Sequence, residues 1–181
     1  MTVFTIPNAL TFVRIIIIPI FVMSLLHRKF HYALILFVVA AVTDLLDGFL
    51  ARVTNQKTRL GAFLDPLADK FLLLTSFILF AFYGWLPDWI TITVISRDFI
   101  VVAGWFILFL LTQNRKVDPS IIGKLANAFQ AILISYILFS INFDMGGAII
   151  VKEYLLVLAA AFTVLSGIQY VYRGYRQLYE K

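Results

Sequence analysis

The sequence predicts an all-α, polytopic integral membrane protein with six transmembrane helices. Three observations carry that expectation. Of the 181 residues, 62% are hydrophobic and only 14% charged, with a mean hydropathy of +0.95. Soluble domains average about a quarter charged residues, so water cannot be the solvent for most of this surface. The apolar residues fall into six runs, each near the roughly 20 residues that a helix needs to cross a bilayer. Between the runs there is no strand-like alternation, no Ser/Gly-rich linker and no low-complexity segment, so residues 1–181 read as one membrane domain.

The first run extends from about Asn8 to Leu26, is entered through Pro7 and ends at His27-Arg28-Lys29. Proline suits a helix start, because its missing N–H has no partner there anyway. Met1 to Ala9 has no basic stretch and no small-residue cleavage site follows, so this run is read as a permanent span. The second runs from about His31 to Val53 and the third from about Leu60 to Phe82. Tyr83-Gly84-Trp85-Leu86-Pro87-Asp88 reads as a turn with aromatic interface anchors. The fourth span covers about Pro87 to Thr112, the fifth about Ser120 to Ile141 and the sixth about Lys152 to Tyr172. A basic tail follows.

Six spans place both termini on one side. That side holds Arg52, Lys57, Arg59, Arg115, Lys116, Lys124, Arg173, Arg176 and Lys181, whereas the other holds Arg28, Lys29 and Lys152. Nine cations against three orient the termini toward the cytoplasm. The net charge of +5 sits in short connections between apolar runs, which suits anionic membrane lipids and offers no basic face for nucleic acid. There is no cysteine, so disulfide and thiolate chemistry are excluded.

Four of the ten acidic residues lie within Asp44 to Lys70, at the ends of the second and third spans. Carboxylates are expensive in hydrocarbon and mark a functional site by default. Asp44 and Asp47 are three apart, with Gly48 and Ala51 on the same stripe. Asp65 and Asp69 are four apart, with Gly61 four earlier. Each helix therefore presents one acidic face that also carries small residues. The short connection Val53 to Arg59 makes the two helices antiparallel neighbours, so the faces can meet at the cytoplasmic side. Two like charges at 4 Å cost about 4 kcal/mol even at an effective dielectric of 20. Such a cluster needs cations, with Lys70, Arg52 and Arg14 offsetting part of the charge. An oxygen-only donor set suits hard divalent ions such as magnesium, manganese or calcium. Intramembrane salt bridges or a cation-coupled transporter are the alternatives, but no internal repeat supports a transporter.

The spacing D-x2-D-G-x2-A-R-x8-G-x3-D-x3-D is met in full by Asp44, Asp47, Gly48, Ala51, Arg52, Gly61, Asp65 and Asp69. It resembles the signature of the CDP-alcohol phosphotransferases, and the resemblance covers the whole chain. It implies a six-helix core, a homodimer and two divalent metal ions, magnesium or manganese. It implies that Asp44, Asp47 and Asp65 hold the metals, and that Asp69 is both a further ligand and the general base. Gly48, Ala51, Arg52 and Gly61 would line the CDP-lipid site, with CDP-diacylglycerol as donor and CMP as leaving group.

Ile6-Pro7-Asn8-Ala9-Leu10-Thr11 with Arg14, and Asp65-Pro66-Leu67-Ala68-Asp69-Lys70, look like the branch that includes the phosphatidylglycerolphosphate synthases, whose acceptor is glycerol 3-phosphate. Asn8 and Arg14 are candidates to help hold the CDP-lipid. The alternatives are a helix cap for Asn8 and a charge partner to the acidic cluster for Arg14. An anionic acceptor needs a second positive pocket, for which Arg97 and Lys124 are the candidates. Arg97 is alternatively a local partner of Asp98, and Lys124 a snorkelling interface residue. In that branch the fifth helix carries G-K-x-K-T-x-x-Q; here Ala126 and Asn127 replace the second lysine and the threonine. Arg97-Asp98 stands where Arg-Glu is usual, and is similar to the cardiolipin synthases of the same superfamily, which use phosphatidylglycerol as acceptor.

Overall fold

The computed structural model describes residues 6–53, 61–112, 120–143 and 149–179. Side chains are described throughout these except at 6–8, 45–53, 61–63, 65, 66, 105–112, 149 and 177–179. The described residues form six α-helices and no strand: α1 Ile6–Leu26, α2 Phe30–Val53, α3 Gly61–Phe82, α4 Asp88–Thr112, α5 Ile121–Phe143 and α6 Ile149–Tyr179. They fall into two compact units. One comprises Met1–Leu79 and Ser135–Met145, the other Phe80–Ile134 and Gly146–Lys181.

In the first unit, α1 packs against α2 along a stripe of 3.6-residue period. On α1 the stripe is Thr11, Arg14, Ile17, Phe21 and Leu25; on α2 it is Ala33, Phe37 and Ala40, all buried. The Phe21 and Phe37 rings meet with centroids 5.9 Å apart. The three-residue connection makes α1 and α2 an antiparallel hairpin. It closes through Arg28 N–H to the Leu25 carbonyl (2.9 Å) and Lys29 N–H to the Ser24 carbonyl (2.8 Å). That is the helix-ending pattern in which a glycine usually takes the left-handed position. Arg28 takes it here, at φ 57°. At the end of the unit formed by α5, Asn142 Nδ2 donates to the Phe30 carbonyl at 3.1 Å, and His31 meets Phe143 edge-on.

The second unit begins with the same kind of turn, now with glycine. Gly84, at φ 71°, donates to the Ala81 carbonyl (2.9 Å), and Trp85 N–H donates to the Phe80 carbonyl (2.8 Å). The Trp85 ring lies edge-on to Phe80 and stacks on Tyr83, so the apolar contact that accompanies this motif is present. The aromatic turn expected between the third and fourth spans is therefore observed. Beyond it, α4 packs on α6, with Ile90, Thr91, Val94 and Arg97 buried on α4 and Leu156, Ala159, Thr163 and Ser166 on α6. Gln130 Nε2 donates to Thr163 Oγ1 at 2.8 Å, joining α5 to α6, and Phe129 stacks on Phe162.

Large apolar side chains cover the outside: Phe82, Phe99, Ile121 and Ile150 are all more than two-thirds exposed. A surface of this kind suits hydrocarbon, and the chain is an integral membrane protein. Among the described residues, three helical stretches are long and apolar enough to cross a bilayer: Ala9–Leu26, Ile121–Phe143 and Ile150–Arg176. On α2 the apolar stretch that the described side chains cover is Phe30–Asp44. The sequence of α3 carries Asp65, Asp69 and Lys70 in its first half and is apolar from Phe71 to Phe82 apart from Thr75 and Ser76. The apolar half of α4 runs into 105–112, outside the described side chains.

The sixth helix runs past the expected apolar span at both ends. It continues to Tyr179, well beyond the expected end near Tyr172. The fall in hydropathy at Arg173 marks the edge of the apolar stretch, whereas residues such as Arg, Gln and Leu keep good helix propensity.

Candidate active site

The register of α1 against α2 positions the acidic site. Arg14 lies seven residues before Phe21, and Asp44 lies seven after Phe37. Seven residues are about two helical turns. In an antiparallel pair these offsets run the same way along the hairpin, so both side chains arrive at one level. Arg14 Nη1 is 2.8 Å from Asp44 Oδ1. The same nitrogen donates to Asp69 Oδ1 of α3 at 3.2 Å. One guanidinium nitrogen thus ties together the two acidic helices, with a carboxylate from each half of the motif.

The Arg14 side chain is wholly buried, while those of Asp44 and Asp69 are 36% and 44% exposed. A buried arginine therefore joins two carboxylates that are each partly exposed. A charge-assisted bond of this kind contributes about 1.5–3 kcal/mol when its partners are held in place. Arg14 is thus a charge partner to the cluster, a contact that leaves its candidate role toward the CDP-lipid in place. Its neighbour in the sequence motif, Lys70, has its Nζ buried one residue beyond Asp69. The side chains of Asn8, Asp47, Gly48, Ala51, Arg52, Gly61 and Asp65 lie outside the described residues.

The second unit holds the two basic candidates. Arg97 is 6% exposed. Its Nη1 donates to Asp98 Oδ1 at 2.6 Å. Its Nε and Nη2 both donate to Ser166 Oγ of α6, at 3.2 and 2.7 Å. Its Cζ lies 5.8 Å from the centre of the Tyr170 ring, a weak cation–π contact. The first turn of α5 comes against the same guanidinium. A Cβ on Gly123 would fall 3.1 Å from Arg97 Nη2 and 3.3 Å from Ser166 Oγ. That turn starts at Ser120, whose Oγ accepts the Gly123 N–H at 2.9 Å as a helix cap. Lys124 follows directly and is exposed. Gly123, the residue before it, is the one that comes against Arg97. Sequence reading anticipated the Asp98 contact but missed Ser166 and Gly123. Their only signal is small or polar residues at helical spacing, Thr163-Ser166 on α6 and Ser120-Gly123 on α5.

Residues 4–165 match the protein-family profile described as CDP-alcohol phosphatidyltransferase. The chain belongs to that family. Its curated relatives include the "CDP-diacylglycerol--glycerol-3-phosphate 3-phosphatidyltransferase" of Escherichia coli strain K12, 39% identical over 177 residues and 93% of both chains. The protein of the same name from Sodalis glossinidius is 36% identical over 184 residues and 97% of both chains. That from Salmonella paratyphi A is 37% identical over 177 residues and 93% of both. The family match takes in α1 to α5 and most of α6. It therefore covers the Arg14–Asp44–Asp69 junction and Arg97, and stops one residue before Ser166.

Proposed function

We propose that this CDP-alcohol phosphatidyltransferase moves a phosphatidyl group from CDP-diacylglycerol to glycerol 3-phosphate, releasing CMP. The observation that carries the chemistry is the convergence of Asp44 and Asp69 on Arg14 Nη1, which joins both halves of the acidic motif. The choice of acceptor is supported by relatives of that name which the chain matches over nearly their full length.

The donor set is oxygen only, and the two described carboxylates are partly exposed on one side of a buried cation. This fits hard divalent ions, and Asp44, Asp47, Asp65 and Asp69 are the residues that would hold them. Such ions, when bound, neutralise a diphosphate and stabilise charge on the departing phosphate.

Arg14 fixes Asp44 and Asp69 relative to one another before substrate arrives, so neither carboxylate has to reorganise during the reaction. Gly48, Ala51, Arg52 and Gly61, with Asn8 and Arg14, line the CDP-lipid, the small residues allowing close approach of its phosphates. A hydroxyl oxygen of glycerol 3-phosphate attacks the phosphorus bonded to diacylglycerol. The bond from that phosphorus to the CMP oxygen breaks, and CMP keeps the electron pair. Asp69 takes the hydroxyl proton. Arg97 and Lys124 hold the acceptor's own phosphate, Arg97 with fork geometry and Lys124 as a point charge. The site and both termini face the cytoplasm, following the charge asymmetry of the connections.

Purified protein supplied with CDP-diacylglycerol and a divalent ion should release CMP when glycerol 3-phosphate is added. CMP release with phosphatidylglycerol alone would instead assign a cardiolipin synthase. No CMP release with either acceptor would remove the transferase reading.

A further inference from the structure

Arg97 is held on more sides than a buried ion pair requires. An arginine presents five N–H donors. Among the described residues three are engaged: those on Nε and Nη2 by Ser166 Oγ, and one on Nη1 by Asp98. That leaves one N–H on each terminal nitrogen, the pair that suits two oxygens of a single phosphate. Two glycines lie along the side chain: a Cβ on Gly167 would sit at an ordinary contact distance of 3.5 Å from Arg97 Cγ, and one on Gly123 would sit 3.1 Å from Nη2. Arg97 also borders an open groove of about 680 Å³ along α4 and α6, whose lining is mostly apolar (Ile92, Ile100, Ile168 and Tyr172 among it) with Thr93 and Ser96 as polar members.

We infer that Ser166 is a positioning residue for acceptor recognition: its hydroxyl clamps one edge of Arg97 and so aims the remaining N–H groups at the acceptor phosphate. The inference rests on the proposed acceptor-phosphate role of Arg97. The chemistry of residue 166 favours it. A serine oxygen orients the guanidinium without cancelling its charge, whereas a second carboxylate at this position would compete with the incoming phosphate. Asp98 already balances the charge of the arginine. Lys124, carried on the turn that Gly123 brings against Arg97, supplies the extra positive charge an anionic acceptor needs. Ser166 acts through Arg97 and takes no part in bond making or breaking.

The test is steady-state kinetics of CMP release on Ser166→Ala, Ser166→Thr and Arg97→Lys, with donor and acceptor varied separately. A charge-assisted bond lost from a binding group lowers affinity on the order of tenfold. Ser166→Ala should raise KM for glycerol 3-phosphate about that much, with much smaller changes in KM for CDP-diacylglycerol and in kcat. Ser166→Thr, which keeps the hydroxyl, should recover most of the loss. A purely structural serine predicts another pattern, in which Ser166→Ala lowers thermal stability and worsens both substrates alike, or nothing changes. Either result overturns the inference. If Arg97→Lys raises the acceptor KM and Ser166→Ala does not, the positioning role fails while the acceptor subsite stands. If neither variant moves it, the subsite reading falls and the inference with it. Should Ser166→Ala not assemble, Ser166→Cys, of similar size but a weak acceptor, must show the same selective rise in acceptor KM, and its absence is equally decisive.

Discussion

Arg14 and Asp44 are bonded at 2.8 Å across the α1–α2 hairpin, each two turns from the Phe21–Phe37 contact that sets the register. The ion pair is a consequence of apolar packing: the stripe that buries Phe21 and Leu25 also carries Arg14, and the one that buries Ala33 and Phe37 reaches Asp44. Removing the cation leaves two carboxylates facing each other. Arg14→Gln is expected to lower the rate of CMP release at least tenfold and to destabilise the detergent-solubilised protein by about 2 kcal/mol. Arg14→Lys keeps the charge and should lose far less stability than Arg14→Gln. Thermal unfolding beside the activity assay checks both, and normal turnover in Arg14→Gln contradicts the organising role.

Asp69 is proposed to accept the acceptor's proton. Asp69→Asn keeps the shape and removes the base, so kcat should fall about 100- to 1,000-fold while the protein remains folded. Binding of manganese to the purified variant, followed by its paramagnetic signal, separates loss of the base from loss of a metal site. Near-normal turnover with metal bound would show that another group takes the proton.

Gly123 has no room for a side chain. In Gly123→Ala the new Cβ would lie 3.0 Å from Ser120 Oγ and 3.1 Å from Arg97 Nη2. The serine hydroxyl can rotate away, but Arg97 is tied at three nitrogens. The expected cost is about 1–3 kcal/mol of stability, with a raised KM for glycerol 3-phosphate. An unchanged melting temperature and KM would show that α5 can move away from Arg97 without penalty.

Arg28 holds a left-handed backbone conformation that disfavours side chains, at the end of α1 away from the acidic site. Arg28→Gly should raise stability by about 0.5–1 kcal/mol, the relief of strain being partly offset by the freer unfolded chain. Thermal unfolding measures it, and CMP release should be unaffected. A decrease in stability would show that the arginine side chain contributes more than its backbone costs.

The helices were legible because hydrophobic runs and turn residues report on solvent and backbone directly. Gly84 with Trp85 was readable as a turn for that reason, and the aspartate spacing placed Asp44 and Asp69 on facing helices. The end of α6 was not, since hydropathy records where the apolar environment stops and says little about where helical hydrogen bonding stops. Arg14 was readable as a charge partner of the acidic cluster, but its choice of Asp44 and Asp69 comes from the hairpin register. Ser166 was not legible at all. A lone serine on an apolar helix has no pattern, and its meaning comes from Arg97, 69 residues away in the chain.

The central claim is that one molecule of CMP is released for each phosphatidyl group placed on glycerol 3-phosphate. The most direct test supplies the purified protein with CDP-diacylglycerol and radiolabelled glycerol 3-phosphate, then follows label in the organic-solvent extract alongside CMP in the aqueous phase. The account predicts that both rise together, one for one, with a divalent ion present. CMP appearing while the label stays in the aqueous phase would contradict it.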